Sequence, residues 1–108
     1  MRKQYSRNEI YPYLIQSLHS EKSATDFFRN HLDDDKLLAA LVEVALADVS
    51  DDARMEAAFW ISQFPADTLE PFQKKLEQLS LKSWDSITTH AKTALNKVAK
   101  LEAYATAP

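Results

Sequence analysis

The three histidines, His19, His31 and His90, are the side chains best suited to metal binding or proton transfer, and they fall in separate segments of the chain. None has a second histidine four residues away or lies in an HExxH sequence, the spacings that hold a zinc ion on a helix. His31 ends a predicted helix, where an imidazolium meets the helix dipole, and His90 lies beside a predicted core stripe. The histidines therefore predict no metal site and no catalytic base.

The acidic residues form two clusters, one at residues 33–35 and one comprising Asp48, Asp51 and Asp52. Each cluster precedes or opens a predicted helix, where carboxylates cap backbone N–H groups and oppose the dipole. The clusters lack the alternating ligands and the glycine of an EF-hand loop. No serine has a candidate base beside it, and no carboxylate pair lies in an apolar segment. The sequence predicts no catalytic residue, no cofactor and no small-molecule substrate, and hence a protein that is not an enzyme.

None of the 108 residues is glycine and none is cysteine. Phosphate-binding loops, dinucleotide-binding turns and the GxSxG nucleophile elbow all need glycine, so these sites are excluded. Without cysteine there is no disulfide framework and no thiolate ligand or nucleophile. The two-residue turns of β-hairpins also prefer glycine, so its absence argues against an all-β fold.

The elements that remain are helices. We predict an all-α fold of six helices, in about three antiparallel hairpins, because each apolar stripe of helical period follows a capping signal. The predicted caps are Ser6, Ser23, Asp33, Ser50, Asp67 and Ser83. Pro12 lies within the first stripe, so that helix either starts late or kinks.

Apolar positions repeat at an offset of 34 residues. The offset aligns Leu38, Val42 and Ala45 with Phe72, Leu76 and Leu79, and Ala53, Ala57, Ile61 and Phe64 with Ile87, Ala91, Leu95 and Val98. A period of this length with two helices per unit is typical of stacked helical repeats. We therefore expect one domain over residues 1–108, with repeats at 34–64 and 67–101, a divergent capping hairpin at 6–32 and a frayed tail at 102–108.

The sequence DARMEAA at residues 52–58 resembles the second-helix signature of HEAT repeats. The sequence ITTHAKTAL at residues 87–95 is similar, with Thr88 in place of the arginine, and Leu69 to Leu79 fits the family's first helix. This resemblance covers about residues 34–101 and implies a short HEAT-like α-solenoid. Proteins of this family are mostly binding scaffolds. In size and acidity the chain also looks like small bacterial immunity proteins of contact-dependent inhibition (polymorphic toxin) systems, which neutralise a cognate toxin.

Charge is unevenly distributed along the chain. Residues 1–72 carry 7 basic and 13 acidic side chains, a net −6, and residues 73–108 carry 6 basic and 3 acidic ones, a net +3. Such an acidic segment repels nucleic-acid phosphates and attracts a cationic partner. The alternative interpretation is a solvated surface with acidic helix caps.

The fourth predicted helix carries the candidate binding surface. Met55 and Phe59 point away from its core stripe, and aromatic and methionine anchors with a polar rim are typical of protein interfaces. The predicted partner-binding residues are Asp48, Asp51, Asp52, Met55, Glu56, Phe59, Gln63, Thr89 and Thr93. Two interpretations stay open, since the first hairpin either covers this face or leaves it free.

These observations predict a non-enzymatic protein-binding module. The resemblance makes an immunity protein the first specific hypothesis, one that binds a basic toxin domain such as a nuclease and occludes its active site. The alternatives are a scaffold or adaptor domain in a larger assembly, and a nucleic-acid-associated HEAT-like protein that uses Lys92, Lys97 and Lys100. The last is disfavoured because no arginine follows Arg54.

The location expected from the sequence is the cytoplasm. The longest nearly apolar stretch, Leu37 to Ala47, is too short to cross a bilayer, and no apolar segment follows the N-terminal Met-Arg-Lys. We therefore expect neither a membrane partner nor a secretory signal.

Overall fold

The computed structural model describes residues 5–46, 50–82 and 86–106, and the fold is all-α. The helices are α1 (Arg7–Leu18), α2 (Lys22–Arg29), α3 (Asp35–Leu46), α4 (Asp51–Gln63), α5 (Ala66–Leu69), α6 (Gln73–Lys82) and α7 (Ser86–Thr106). A 3-10 turn at Glu70–Phe72 joins α5 to α6, so these two form the fifth predicted helix. None of these described helices is both long enough and apolar enough to cross a membrane.

Two predicted helix starts are confirmed. At α1, Ser6 Oγ accepts from the Glu9 N–H at 3.1 Å and Glu9 Oε1 accepts from the Ser6 N–H at 3.3 Å, which is the reciprocal capping box. At α4, Ser50 Oγ accepts from the Ala53 N–H at 3.2 Å. α1 runs through Pro12 without ending. The proline side chain therefore does not delay the start of the helix.

Three other starts differ by one or two residues from the prediction. Asp34, not Asp33, caps α3, since its Oδ1 accepts from the Lys36 N–H at 3.0 Å. α2 begins before Ser23, directly after the turn that closes α1, and α5 begins before Asp67, directly after the extended Pro65. The adjoining turns, rather than a capping side chain, set these two starts. Ser83 lies outside the described residues, and α7 continues to Thr106 where the sequence places the end at 101.

The core lies between successive helix pairs. α3 and α4 pack on each other, as do α6 and α7, and α4 also contacts α7 while α3 contacts α6. α1 packs against α2, α3 and α4. The largest fully buried side chains come from α1 to α6 and the turns between them: Phe28, Phe64, Ile10, Leu14, Leu37, Leu38, Leu41, Ile61, Leu69, Leu76, Leu79 and Val42. The apolar stripes predicted from the sequence thus face one common core.

α1 ends in a Schellman motif without glycine. The Ser20 N–H donates to the Ser17 carbonyl at 2.9 Å, and the Glu21 N–H donates to the Gln16 carbonyl at 3.0 Å. This geometry places Ser20 at φ 62°, in the left-handed region that costs an L-residue other than glycine about 1 kcal/mol or more. The serine is strained, and the strain is local to the turn.

We expect Ser20→Gly to raise the free energy of unfolding by about 0.5–1 kcal/mol, because relief of the left-handed strain exceeds the added entropy of the unfolded chain. Urea denaturation followed by circular dichroism measures this. Ala39→Gly is the matched control, an exposed position inside α3 where glycine should cost about 1 kcal/mol. Equal destabilisation by both substitutions would contradict the assignment of strain to Ser20.

Cationic or polar side chains from later in the chain satisfy the ends of α2, α3 and α4. His31 Nδ1 donates to the Phe27 carbonyl at 2.6 Å, and Arg54 Nε donates to the Ala45 carbonyl at 3.0 Å. Lys97 Nζ donates to the Ser62 and Phe64 carbonyls at 2.5 and 3.1 Å. The positive charges of Arg54 and Lys97 also oppose the dipoles of α3 and α4 at these C-termini. Side chains therefore satisfy the C-terminal carbonyl groups of these helices, which in many other proteins are satisfied by a glycine C-cap.

Candidate protein-binding surface

Met55 and Phe59 lie on the open face of α4, with 38% and 36% of their surface exposed. The neighbouring Trp60, by contrast, is only 4% exposed. These values follow from helical geometry, since Trp60 lies 100° around the helix from Phe59. Two apolar side chains separated by one turn thus form an exposed spot on α4.

The first hairpin covers a different flank of α4. α1 reaches α4 through Tyr11, whose hydroxyl lies 3.3 Å from Ser50 Oγ, and through Ser17, whose hydroxyl contacts Trp60 and Glu56. Met55 remains more than one-third exposed beside these contacts. The sequence left open whether the first hairpin covers Met55 and Phe59. In the structure the hairpin packs beside these two side chains and leaves both partly exposed.

α7 forms the other border of this spot. The Phe59 ring meets the His90 imidazole edge-on, with ring centroids 5.7 Å apart. Thr89 and Thr93 are exposed on α7, and the Thr93 hydroxyl donates to the Thr89 carbonyl at 3.0 Å. Gln63 is exposed one turn beyond Phe59, and its amide donates to Ser62 Oγ at 3.2 Å. Phe59 and His90 therefore meet at a seam between α4 and α7, with Gln63 exposed on one helix and Thr89 and Thr93 exposed on the other.

The acidic edge lies at the N-terminus of α4. Asp51 and Asp52 are both exposed in its first turn. Asp51 Oδ1 lies 3.7 Å from the Arg54 guanidinium, a contact with one solvent-exposed partner that contributes little to stability. Asp48 lies outside the described residues. Two of the three predicted carboxylates therefore stand at one end of the helix that carries Met55 and Phe59.

Glu56 has an internal role that the sequence did not indicate. Its Oε2 accepts from the Ser17 hydroxyl at 2.5 Å and from Trp60 Nε1 at 3.1 Å. Trp60 Nε1 also lies 2.9 Å from Ser17 Oγ, which closes a three-member network between α1 and α4. Ser17 is 39 positions from Glu56, and no local spacing relates them. This network joins Trp60 and Glu56 on α4 to Ser17 on α1.

Burial lowers the pKa of His90 below its usual value, and the nearby Glu56 carboxylate opposes that shift only in part. The neutral imidazole is therefore the form that packs against Phe59. Because the folded pKa lies below the unfolded one, the stability that depends on neutral His90 is present above the unfolded pKa of about 6.5. It is lost as the pH falls through the folded value.

We therefore expect the free energy of unfolding to decline as the pH falls from about 7 to about 5, with His90 contributing part of that slope. His90→Gln keeps a polar side chain that does not titrate, so its slope should be shallower. Urea denaturation at several pH values measures both proteins. A slope in the variant equal to or steeper than that of the parent chain would contradict this account.

Sequence reasoning missed an exposed aromatic cluster on the first hairpin. Tyr13 is 41% exposed and its ring stacks on Phe27 at 4.6 Å. From Phe27, rings in contact continue through Phe28 and Trp60 to Phe59. The four-residue spacing of Glu9 and Tyr13 was the available signal for a shared face of α1. That spacing alone could not predict that Tyr13 stacks on Phe27 of α2.

Across the described ranges there is no group of three or more histidine and acidic side chains that could hold a metal ion. The surface that the helices do assemble consists of an apolar spot, a polar rim and a carboxylate end. Comparison of the chain with protein-family profiles, curated proteins and solved structures found no match.

Proposed function

We propose that this chain is a non-enzymatic protein-binding module, and specifically an immunity protein that binds and neutralises a basic toxin domain such as a nuclease. The observation that supports it is the exposed pair of Met55 and Phe59, bordered by the polar seam with α7 and by Asp51 and Asp52. Aromatic and methionine anchors bury well at interfaces, and surrounding polar groups exclude water from them.

Charge supports a cationic partner. Residues 1–72 carry a net −6, and this total includes the exposed Asp51 and Asp52, which lie within about one turn of Met55 on α4. A nuclease active site attracts phosphate and therefore carries basic residues, to which exposed carboxylates are complementary. Electrostatic steering would speed encounter, and burial of Phe59 would slow release.

The proposal includes a short HEAT-like solenoid as the scaffold. Its support is the order of packing, since the α3–α4 pair contacts the α6–α7 pair through both α3–α6 and α4–α7. α4 and α7 are the second helices of their pairs, and Phe59 meets His90 across them. In such a stack the second helices line one surface, where a partner would dock.

The nucleic-acid alternative has less support. Lys97, one of its three lysines, donates to the Ser62 and Phe64 carbonyls and is occupied inside the protein. Lys92 and Lys100 remain exposed. Two lysines without an arginine are a small basic surface for binding a backbone.

A protection assay separates immunity from a scaffold role. The open reading frame upstream of this gene should encode a protein with a toxic C-terminal domain, and expression of that domain alone should arrest growth of the host. Co-expression of this chain in the cytoplasm, where the proposal places it, should restore growth. Failure of co-expression to protect cells against a toxic neighbour would contradict immunity.

A further inference from the structure

A cleft of about 370 Å³ lies where the turn between α4 and α5 meets the C-terminal half of α7. Pro65 and Ala66 line it from the turn, and Lys97, Lys100 and Leu101 line it from α7. The three α7 residues are spaced i, i+3 and i+4, so they share one face of the helix. Among the described residues, the lining therefore combines three apolar side chains with two lysines and no carboxylate.

The Lys97 ammonium is held in position beside this cleft. It donates to the Ser62 and Phe64 carbonyls at 2.5 and 3.1 Å, which fixes it at the C-terminal end of α4. An ammonium has three N–H donors, so these two bonds leave one for a further acceptor. Because Lys97 both bonds these carbonyls and lines the cleft, its charge offsets the negative end of α4 there.

Neither lysine of the cleft has a counter-ion in the part of the chain that the structure describes. Lys100 is exposed one turn beyond Lys97, and no ion pair joins either of them to a carboxylate. Burial lowers the pKa of Lys97 below its usual value, because the charged form loses hydration there. Two ammonium groups thus border an apolar floor that is formed by Pro65, Ala66 and Leu101.

We propose that this cleft binds an aliphatic carboxylate, a small molecule in which a short hydrocarbon chain carries one carboxyl group. The carboxylate accepts from the ammonium groups of Lys97 and Lys100, and the hydrocarbon chain lies on the apolar floor. The volume suits such a ligand, since small-molecule sites in proteins begin at about 300 Å³. The site shares no residue with the surface of Met55 and Phe59 and does not depend on the function proposed for that surface.

Other classes of ligand fit this lining less well. Inorganic phosphate has no apolar part to cover the floor, and an alkylammonium ion would face two like charges. An uncharged alcohol would leave both ammonium groups without a counter-ion. A single carboxylate needs only these two cations, whereas a nucleic-acid backbone needs several along its length.

The test is a titration of the full chain with sodium hexanoate, followed by amide and lysine Cε chemical shifts in NMR. We expect saturable shifts at the residues that line the cleft. Acetate, inorganic phosphate, hexylammonium and hexanol should each bind at least about five-fold more weakly. Hexanoate should also raise the pKa of Lys97, because a nearby negative charge favours the protonated amine.

Two variants separate the charge from the apolar floor. Lys100→Met should weaken hexanoate binding about two- to five-fold, the range of an exposed ion pair, while it keeps an unbranched side chain. Leu101→Ala should weaken the binding of hexanoate and leave that of acetate unchanged, since acetate has no chain to lie on the floor. Lys92→Met is the matched control, an exposed lysine of α7 outside the cleft, and it should bind hexanoate as the parent chain does.

Equal binding of hexanol or hexylammonium, equal weakening by Lys92→Met, or a pKa of Lys97 that hexanoate does not raise would overturn the site. Phosphate binding as tight as that of hexanoate would show that the two lysines hold any anion, and it would overturn the assignment of an aliphatic ligand. The titration uses this chain alone, so its outcome is independent of the toxin-protection assay.

Discussion

Trp60→Ala should lower the free energy of unfolding by about 3–5 kcal/mol, the cost of removing a large buried aromatic side chain. Trp60 is 4% exposed, and its ring stacks on Phe28 with centroids 5.2 Å apart. Its loss also removes the indole donor shared by Ser17 and Glu56. Since domains of this size have total stabilities of about 5–15 kcal/mol, the variant should be near its folding limit. Urea denaturation followed by circular dichroism measures the change.

Two variants separate the packing of Trp60 from its hydrogen bonds. Trp60→Phe keeps a ring and should cost about 1–2 kcal/mol, because Ser17 and Glu56 still bond each other when the indole N–H is gone. Phe59→Ala truncates the adjacent aromatic residue, which is 36% exposed, and should cost about 1 kcal/mol or less. If Trp60→Ala costs no more than Phe59→Ala, the network between α1 and α4 does not hold the fold as described.

Phe59→Ala should weaken binding of the proposed basic partner by about 1–3 kcal/mol, roughly a five- to 150-fold loss of affinity, while leaving the fold intact. The loss should appear mainly in the dissociation rate, because a buried anchor acts after encounter. Surface plasmon resonance with the isolated toxin domain measures both rates. Leu81→Ala is the matched control, an apolar truncation on α6 at a side chain that is 85% exposed and lies outside the proposed surface.

Reversal of Asp51 and Asp52 to lysine should act on the association rate instead. We expect a decrease of about ten-fold or more at low salt, and a smaller decrease at high salt where the charges are screened. The matched control is reversal of Asp67 on α5 and Glu70 in the 3-10 turn, both of them exposed, which changes the net charge equally at residues outside α4. If the two reversals decrease the association rate equally, Asp51 and Asp52 act only through the net charge of the protein and do not contact the partner.

The fold class and the helix order followed from the sequence because apolar spacing and capping residues are local signals. Ser6, Glu9 and Ser50 cap the helices for which they were predicted. Asp33 was the wrong cap because three consecutive aspartates offer the same chemistry, and only the turn from His31 selects Asp34, whose N–H donates to the His31 carbonyl at 3.0 Å. Local sequence therefore predicts the position of such a helix cap to within one or two residues.

The exposed position of Met55 and Phe59 also followed from helical periodicity, whereas the internal role of Glu56 did not. Glu56 meets Ser17 across 39 positions, and Lys97 meets the Phe64 carbonyl across 33. Such contacts depend on how helix pairs dock, which apolar spacing does not encode. The strain at Ser20 likewise arises from a turn that usually employs glycine, in a chain that has none.

Co-purification from the native host, with mass-spectrometric identification, tests the central claim most directly. The account predicts that the tagged parent chain recovers one basic protein in stoichiometric amount. The Leu81→Ala variant should recover the same protein, and the combined change of Phe59→Ala with reversal of Asp51 and Asp52 should lose it. Recovery of an acidic partner, or of the same basic protein undiminished by the combined variant, would contradict a cation-binding surface on α4.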